Sequence, residues 1–197
     1  MRSEIENAIG TFVRQLEQLD GTHKPRLQRT KWEEAEGRRR FAEIRRGAAE
    51  PDAAELYVLR AIRVPEAAGR HLPTFVLIAV LYALHKQKYA KDRLPSFHEH
   101  RYTSLGRSLR QLRQKLRAGE ESLDMRFQAV LNSRQEDLQY HLRSIIMRIA
   151  SFKEDIPVDY KRLLLDLIRW SYMGHPVQRQ WAREYWQREP FNASATR

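Results

Sequence analysis

The sequence predicts an all-α protein of two helical lobes, an N-terminal helical lobe followed by a C-terminal helical bundle. Apolar residues recur three and four apart along most of the chain, the spacing that lines one face of a helix. Strand-type alternation is nearly absent. Gly and Pro are sparse, eight of each in 197 residues, and most stand between the periodic stretches, where chain breaks belong. With 42% apolar residues the chain is long enough for one domain with two lobes or two small domains.

The first helix runs from about Glu4 to Leu19, with Ile5, Ile9, Phe12, Leu16 and Leu19 on one side, and Asp20-Gly21 and Pro25 close it. A second covers Trp32 to Ala48 and a third Ala53 to Arg63, ended by Pro65. The stretch from Pro73 to about Lys88 is apolar nearly all round, which marks it as the centre of the N-terminal lobe, residues 1–88. Residues 89–102, with Pro95 among them, read as a connecting loop. The C-terminal bundle, 103–189, opens with a helix from Thr103 to Arg117 that gathers Leu105, Leu109, Leu112 and Leu116 on one face. Ser133 and Glu136 have the spacing of a capping box, followed by Leu138, Leu142, Ile145, Ile146, Ile149 and Phe152. Asp155 and Pro157 are expected to open the next helix, with Tyr160, Leu163, Leu164, Leu167 and Ile168 on one face and an end near Gly174 and Pro176. Val177, Trp181 and Tyr185, four apart, form the buried stripe of the last, and residues 190–197 are a tail.

A formal net charge of +11 points to a polyanionic partner, nucleic acid or an anionic membrane surface. Both halves are basic, so the charge sits on folded faces and not in a tail. Arginine dominates, and its guanidinium fork suits phosphate oxygens. The chain has no cysteine, which excludes disulfides and thiolate chemistry. No apolar signal core is present, and the longest apolar run, Leu72–Leu84, reads as too short for a bilayer span, so a cytoplasmic location is expected.

Six basic residues and no acidic one lie between Arg101 and Arg117. Projected as a helix, Arg107, Arg110 and Arg117 fall together, away from the leucine face, as a rail for phosphates would. Arg45 and Arg46, with Arg38 and Arg39, occupy the helix that carries Phe41 and Ile44, though Glu33, Glu34, Glu36 and Glu43 are near enough to neutralise some of them. Arg70, just before the apolar helix, is a candidate from position alone. Catalytic constellations are poor. His98-Glu99-His100 lacks metal-ligand spacing and a second ligand pair, adjacent carboxylates point to different helix faces, and no Gly-rich phosphate loop is present. No catalytic residue, metal or cofactor is expected. Trp170 and Trp181 read as core, while Trp186 and Tyr102, beside basic residues, are candidate base-stacking positions.

Arg126-Phe127 after Leu123-Asp124, then Leu142-Arg143, Asp159-Tyr160, Leu163 to Trp170 and the closing Trp181-Ala182-Arg183-Glu184-Tyr185 stand in a fixed order. Upstream are Ala42-Glu43-Ile44-Arg45-Arg46 and Ser104-Leu105-Gly106-Arg107. This order resembles the small subunit of the type I-E CRISPR interference complex, Cascade (the CasB family). The resemblance implies a nucleic-acid-facing surface that includes Arg45, Arg46, Arg126 and Arg143. It implies a non-catalytic subunit of a ribonucleoprotein that lies along the crRNA–DNA hybrid, helps hold the displaced single-stranded DNA and stabilises the R-loop. The implied partners are the large subunit, the backbone subunits and further copies of itself packed head-to-tail. A helical DNA-binding transcriptional regulator is the alternative, with a turn near Ala118-Gly119, but the helix that follows is apolar where a recognition helix is polar. A membrane-surface protein would need exposed aromatics on a basic amphipathic helix, and the aromatic stripes here read as core, so no membrane partner is expected.

Overall fold

A computed structural model describes residues 2–20, 30–87, 103–154 and 156–187, and among these there are nine α-helices and no strand. The fold is all-α, as the periodicity predicts. Helix α1 (Arg2–Asp20) buries Ile9, Phe12, Val13 and Leu16. Helix α2 (Lys31–Ala49) starts at a capping box, in which the Glu33 N–H donates to the Thr30 hydroxyl (3.1 Å) and the Thr30 N–H donates to the Glu33 carboxylate (2.9 Å). A 3-10 turn (Pro51–Ala53) leads into α3 (Ala54–Ala61), and another (Glu66–His71) into α4 (Leu72–Gln87). Then come α5 (Leu105–Lys115), α6 (Glu120–Asn132), α7 (Leu138–Ser151), α8 (Tyr160–Ile168) and α9 (Pro176–Trp186).

Helix α4 is the centre of the packing. Phe75, Ile78, Ala79, Leu81, Tyr82 and Ala83 are fully buried, because α1, α2 and α3 pack on it from one half of the chain and α7 and α8 from the other. The stretch Glu66–Lys86 reaches 21 residues with mean hydropathy 1.5, enough by length and composition to cross a membrane, but its neighbours on several sides make it a core helix. An aromatic run crosses between the halves. Phe41 stacks on Tyr82 at 5.9 Å and Tyr82 tilts against Tyr160 at 4.9 Å. The Tyr160 hydroxyl lies 2.9 Å from His85 Nδ1. The hydrophobic core is therefore continuous between the residues assigned to the two lobes. The whole of the expected connecting loop, 89–102, lies outside the described residues, as does the tail.

Two helix starts differ from the sequence reading. Ser133 and Glu136 form no capping box. The Ser133 hydroxyl donates instead to the Val130 carbonyl (2.7 Å), closing α6, and α7 begins only at Leu138 after a turn. Helix α8 is opened by Asp159, whose carboxylate accepts from the Arg162 N–H (2.9 Å), while Ile156 and Val158 enter the core on the approach.

Helices α5 and α9 cross unusually closely. A β-carbon on Gly106 would stand 2.5 Å from the Trp181 carbonyl oxygen and 2.9 Å from its Cα. Trp181 is fully buried against Trp170, with ring centres 5.1 Å apart. Its indole N–H donates to Asp166 (2.8 Å), which also pairs with Arg162 at 2.9 Å. Burial drives the Asp166 carboxyl upward from its ordinary value, and the indole and Arg162 oppose that rise.

Candidate nucleic-acid interface

Helix α5 turns its leucines inward as expected. Leu105, Leu109 and Leu112 are buried, Leu116 partly so, and the Ser104 hydroxyl accepts the Arg107 N–H (3.3 Å) to start the helix. Its basic face, however, is not an open rail. Arg107 stays exposed but stands 3.5 Å from Glu184 of α9. Arg113 is held two-pronged by Asp124 of α6, at 2.9 and 3.1 Å, with Glu120 at 3.6 Å. Lys115 pairs with Glu154 at 2.6 Å. Arg110 is half-buried and engaged, not exposed as the projection predicts. The neutralising carboxylates come from elements distant in sequence, so a helical projection of α5 alone could not reveal them. Arg117 lies past the helix end, exposed. The Asp124 carboxyl is held below its ordinary value by Arg113, with the Tyr185 hydroxyl also donating to it.

The expected intrahelical pairing on α2 is present for part of its basic face. Arg39 and Arg40 share Glu36, at 3.0 and 2.7 Å, which brings that carboxyl down to about 2. Arg38 stands 3.6 Å from Glu34. Glu43 is taken by Arg60 of α3 at 3.7 Å. Arg45 and Arg46, one turn later, have no ion pair among the described residues. Arg46 is exposed, and Arg45 is half-buried, its pKa lowered by desolvation.

Between α6 and α7 an open groove of about 470 Å³ is lined by Gly119, Ser122, Arg126, Ser144, Met147, Arg148 and Ser151. Both arginines are exposed, and neither meets a carboxylate among the described residues. Arg126 Nη1 donates to the Ser144 hydroxyl, which aims it along the groove. Gly119 has φ +86° at the N-terminus of α6, and the Arg148 guanidinium lies alongside it, 3.6 Å from where a β-carbon would stand. Two guanidinium groups, three hydroxyls and no acid on the lining form a surface suited to phosphate oxygens. Nothing in the sequence order marks Arg148 as a site residue. Its signal is the polar stripe Ser144, Arg148, Ser151, which alternates with Leu142, Ile145, Ile146 and Ile149 on α7.

Arg143 is placed differently from a phosphate-facing side chain. Nη1 donates to the Ala48 carbonyl (2.8 Å), Nη2 to the Gly47 carbonyl (3.1 Å), and Nε is buried. Arg70 is exposed and bonds His71 at 3.4 Å. Arg101, Tyr102 and the His98-Glu99-His100 segment lie outside the described residues. Among those described, no group of three His, Asp or Glu side chains is placed to hold a metal. Trp170 and Trp181 are core, while Trp186 is partly exposed against Phe127 and Tyr185, at 5.5 and 4.9 Å.

The family model for the CRISPR-associated protein Cse2 matches residues 40–186, from the basic turn of α2 through the whole α5–α9 bundle. The chain belongs to the Cse2 family. The CRISPR-associated protein Cse2 of Thermus thermophilus is 32% identical over 110 residues, a stretch that spans 56% of this chain and about half, 54%, of that relative. Crystal structures of CasB are similar over a longer span. CasB from M. ruber superposes with a TM-score of 0.62 at 27% identity, covering 90% of this chain and 92% of that one. CasB from Thermus thermophilus gives 0.60 at 26%, covering 90% and 96%. The Cse2/CasB resemblance read from the sequence is thus upheld in family and in fold.

Proposed function

We propose that this chain is a non-catalytic, nucleic-acid-binding structural subunit of a type I-E CRISPR interference (Cascade) complex, and that it grips phosphate backbone chiefly through arginines that meet no carboxylate among the described residues. Membership of the Cse2 family supports the setting. The single observation that carries the mechanism is the acid-free α6–α7 groove with Arg126 and Arg148. Arg45, Arg46, Arg70 and Arg117 add charge elsewhere on the surface, and Arg101 is a further candidate by sequence. Arg107 contributes as well, because its guanidinium stays exposed to a phosphate although it stands 3.5 Å from the largely buried Glu184. Such contacts neutralise backbone and read no base edges, so sequence specificity stays with guide pairing. In the complex the chain holds the displaced single strand beside the crRNA–DNA hybrid and stabilises the R-loop. It packs there with the large subunit, the backbone subunits and a second copy head-to-tail, in the cytoplasm.

The test is R-loop lifetime in the reconstituted complex containing wild type or Arg126→Ala/Arg148→Ala chain. The double replacement is expected to shorten the lifetime while guide loading is unchanged. An unchanged lifetime would overturn the reading.

A further inference from the structure

The last turn of α2 carries Arg45 and Arg46, followed at once by Gly47 and Ala48, whose carbonyls lie among the helix-terminal acceptors that have no partner within the helix. The Arg46 carbonyl is capped by the Glu50 N–H at 2.9 Å. Those of Gly47 and Ala48 are capped from another element altogether, by the two terminal nitrogens of Arg143 on α7. A cation at a helix C-terminus also complements the helix dipole. Gly47 makes the arrangement tight. A β-carbon there would stand 2.9 Å from Ala54 and 3.3 Å from Val80, so the turn is seated against α3 and α4 while α7 holds it from its carbonyl end. Arg143 is the half-buried bridge between α7, which also lines the groove, and the turn that carries two arginines without an ion pair among the described residues.

We infer that Arg143 is a positioning residue. It fixes the C-terminal turn of α2 and thereby sets where the Arg45 and Arg46 guanidinium groups meet the phosphate backbone, without touching nucleic acid itself. This rests on the nucleic-acid reading proposed above. A side chain with both terminal nitrogens on carbonyls and Nε buried has little left to offer a phosphate. Its loss would free the turn and blur both arginines together.

The test is a mutant cycle on the full chain. Binding to a fluorescein-labelled single strand of arbitrary sequence is titrated at several salt concentrations and at a temperature where melting curves show every variant folded. The variants are Arg143→Met, the milder charge-retaining Arg143→Lys, Arg45→Ala/Arg46→Ala and the combinations. Arg143→Met is expected to lose affinity by on the order of tenfold, comparable to losing one or two charge-assisted contacts. In the Arg45→Ala/Arg46→Ala background it is expected to cost nothing further. Arg143→Lys is expected to lose less, and again nothing in that background. A purely structural Arg143 would lower the melting temperature and leave folded-state affinity alone. A directly contacting Arg143 would flatten the salt slope by about 0.7 in both backgrounds, with Lys restoring it. Either outcome overturns the inference. If Arg45→Ala/Arg46→Ala itself leaves affinity and slope unchanged, then those two arginines are not phosphate ligands and the fault lies in the binding reading at this turn.

Discussion

Replacing Gly106 by alanine is expected to destabilise the protein although it replaces a poor helix former with the best one. Alanine is favoured over glycine in a helix interior by about 1 kcal/mol, and Gly106 lies in the first turn of α5, so the gain is no larger. Against it, the added methyl would stand 2.5 Å from the Trp181 carbonyl oxygen, 2.9 Å from its Cα and 3.0 Å from its carbonyl carbon. These are backbone atoms of α9 and cannot rotate aside, so relief requires the two helices to separate. Overpacking of this kind costs about 1–3 kcal/mol and more where backbone must move, and separation would also disturb the fully buried Trp181. A net loss of about 2 kcal/mol is expected, or a fall of about 4–8 °C in melting temperature for a chain of this size. Gly10 of α1 is the control, because a β-carbon there meets nothing within 4 Å. Gly10→Ala is expected to raise the melting temperature by about 1–3 °C. Thermal melts by circular dichroism compare the two. A Gly106→Ala protein that melts at or above wild type would refute the close α5–α9 crossing.

His85 is fully buried, and burial lowers its pKa to about 3, with the neighbouring Lys86 adding to the shift. The unfolded chain takes up that proton near pH 6.5 and the folded chain does not, so its contribution is intact above pH 6.5 and is lost as pH falls towards 3. The expected slope is about 1.4 kcal/mol per pH unit. Urea midpoints at pH 7, 6, 5 and 4 should decline less steeply in His85→Gln than in wild type; parallel profiles would show that His85 is not buried neutral. Trp181→Phe removes the indole N–H from the buried Asp166 and leaves space in the core, for a loss of about 2–3 kcal/mol in urea denaturation; a loss under 0.5 kcal/mol would contradict that packing. The triple variant Arg107→Ala/Arg110→Ala/Arg117→Ala should flatten the single-strand salt slope by about 1 and not by 2, because Arg110 is half-buried and Arg107 is shared with Glu184; a larger change would show that α5 is an open rail after all.

What the sequence discloses and what it hides divide along physical lines. Periodicity depends on one element at a time, so helices such as α1, α4 and α9 were legible, as were the buried Trp170, Trp181 and Tyr185. Helix starts were less so. Ser-x-x-Glu at Ser133 has the right spacing for a box, but Ser133 closes α6 instead, and the box that forms is at Thr30 and Glu33. Exposure of charge was the least legible, because it is decided by partners from other elements. Glu184, Asp124 and Glu154 neutralise a face that looks free of acid in its own helix. The family resemblance implies a phosphate-facing Arg143, yet its hydrogen bonds reach back about 95 residues to Gly47 and Ala48, a pairing no local pattern contains. Arg148 is not legible from sequence, because a single exposed arginine on an amphipathic helix carries no signal of its own until Arg126 is folded across from it.

If arginines that meet no carboxylate among the described residues bind phosphate without reading sequence, a salt titration of the isolated chain, wild type and Arg126→Ala/Arg148→Ala, on several single strands of equal length and unrelated sequence will show it. With about five phosphates neutralised, log affinity should fall against log salt with a slope of roughly −3.5 on every strand, and the double variant should flatten it by about 1.4. Equal slopes for the two proteins, or affinity that changes with the sequence of the strand, would contradict the account.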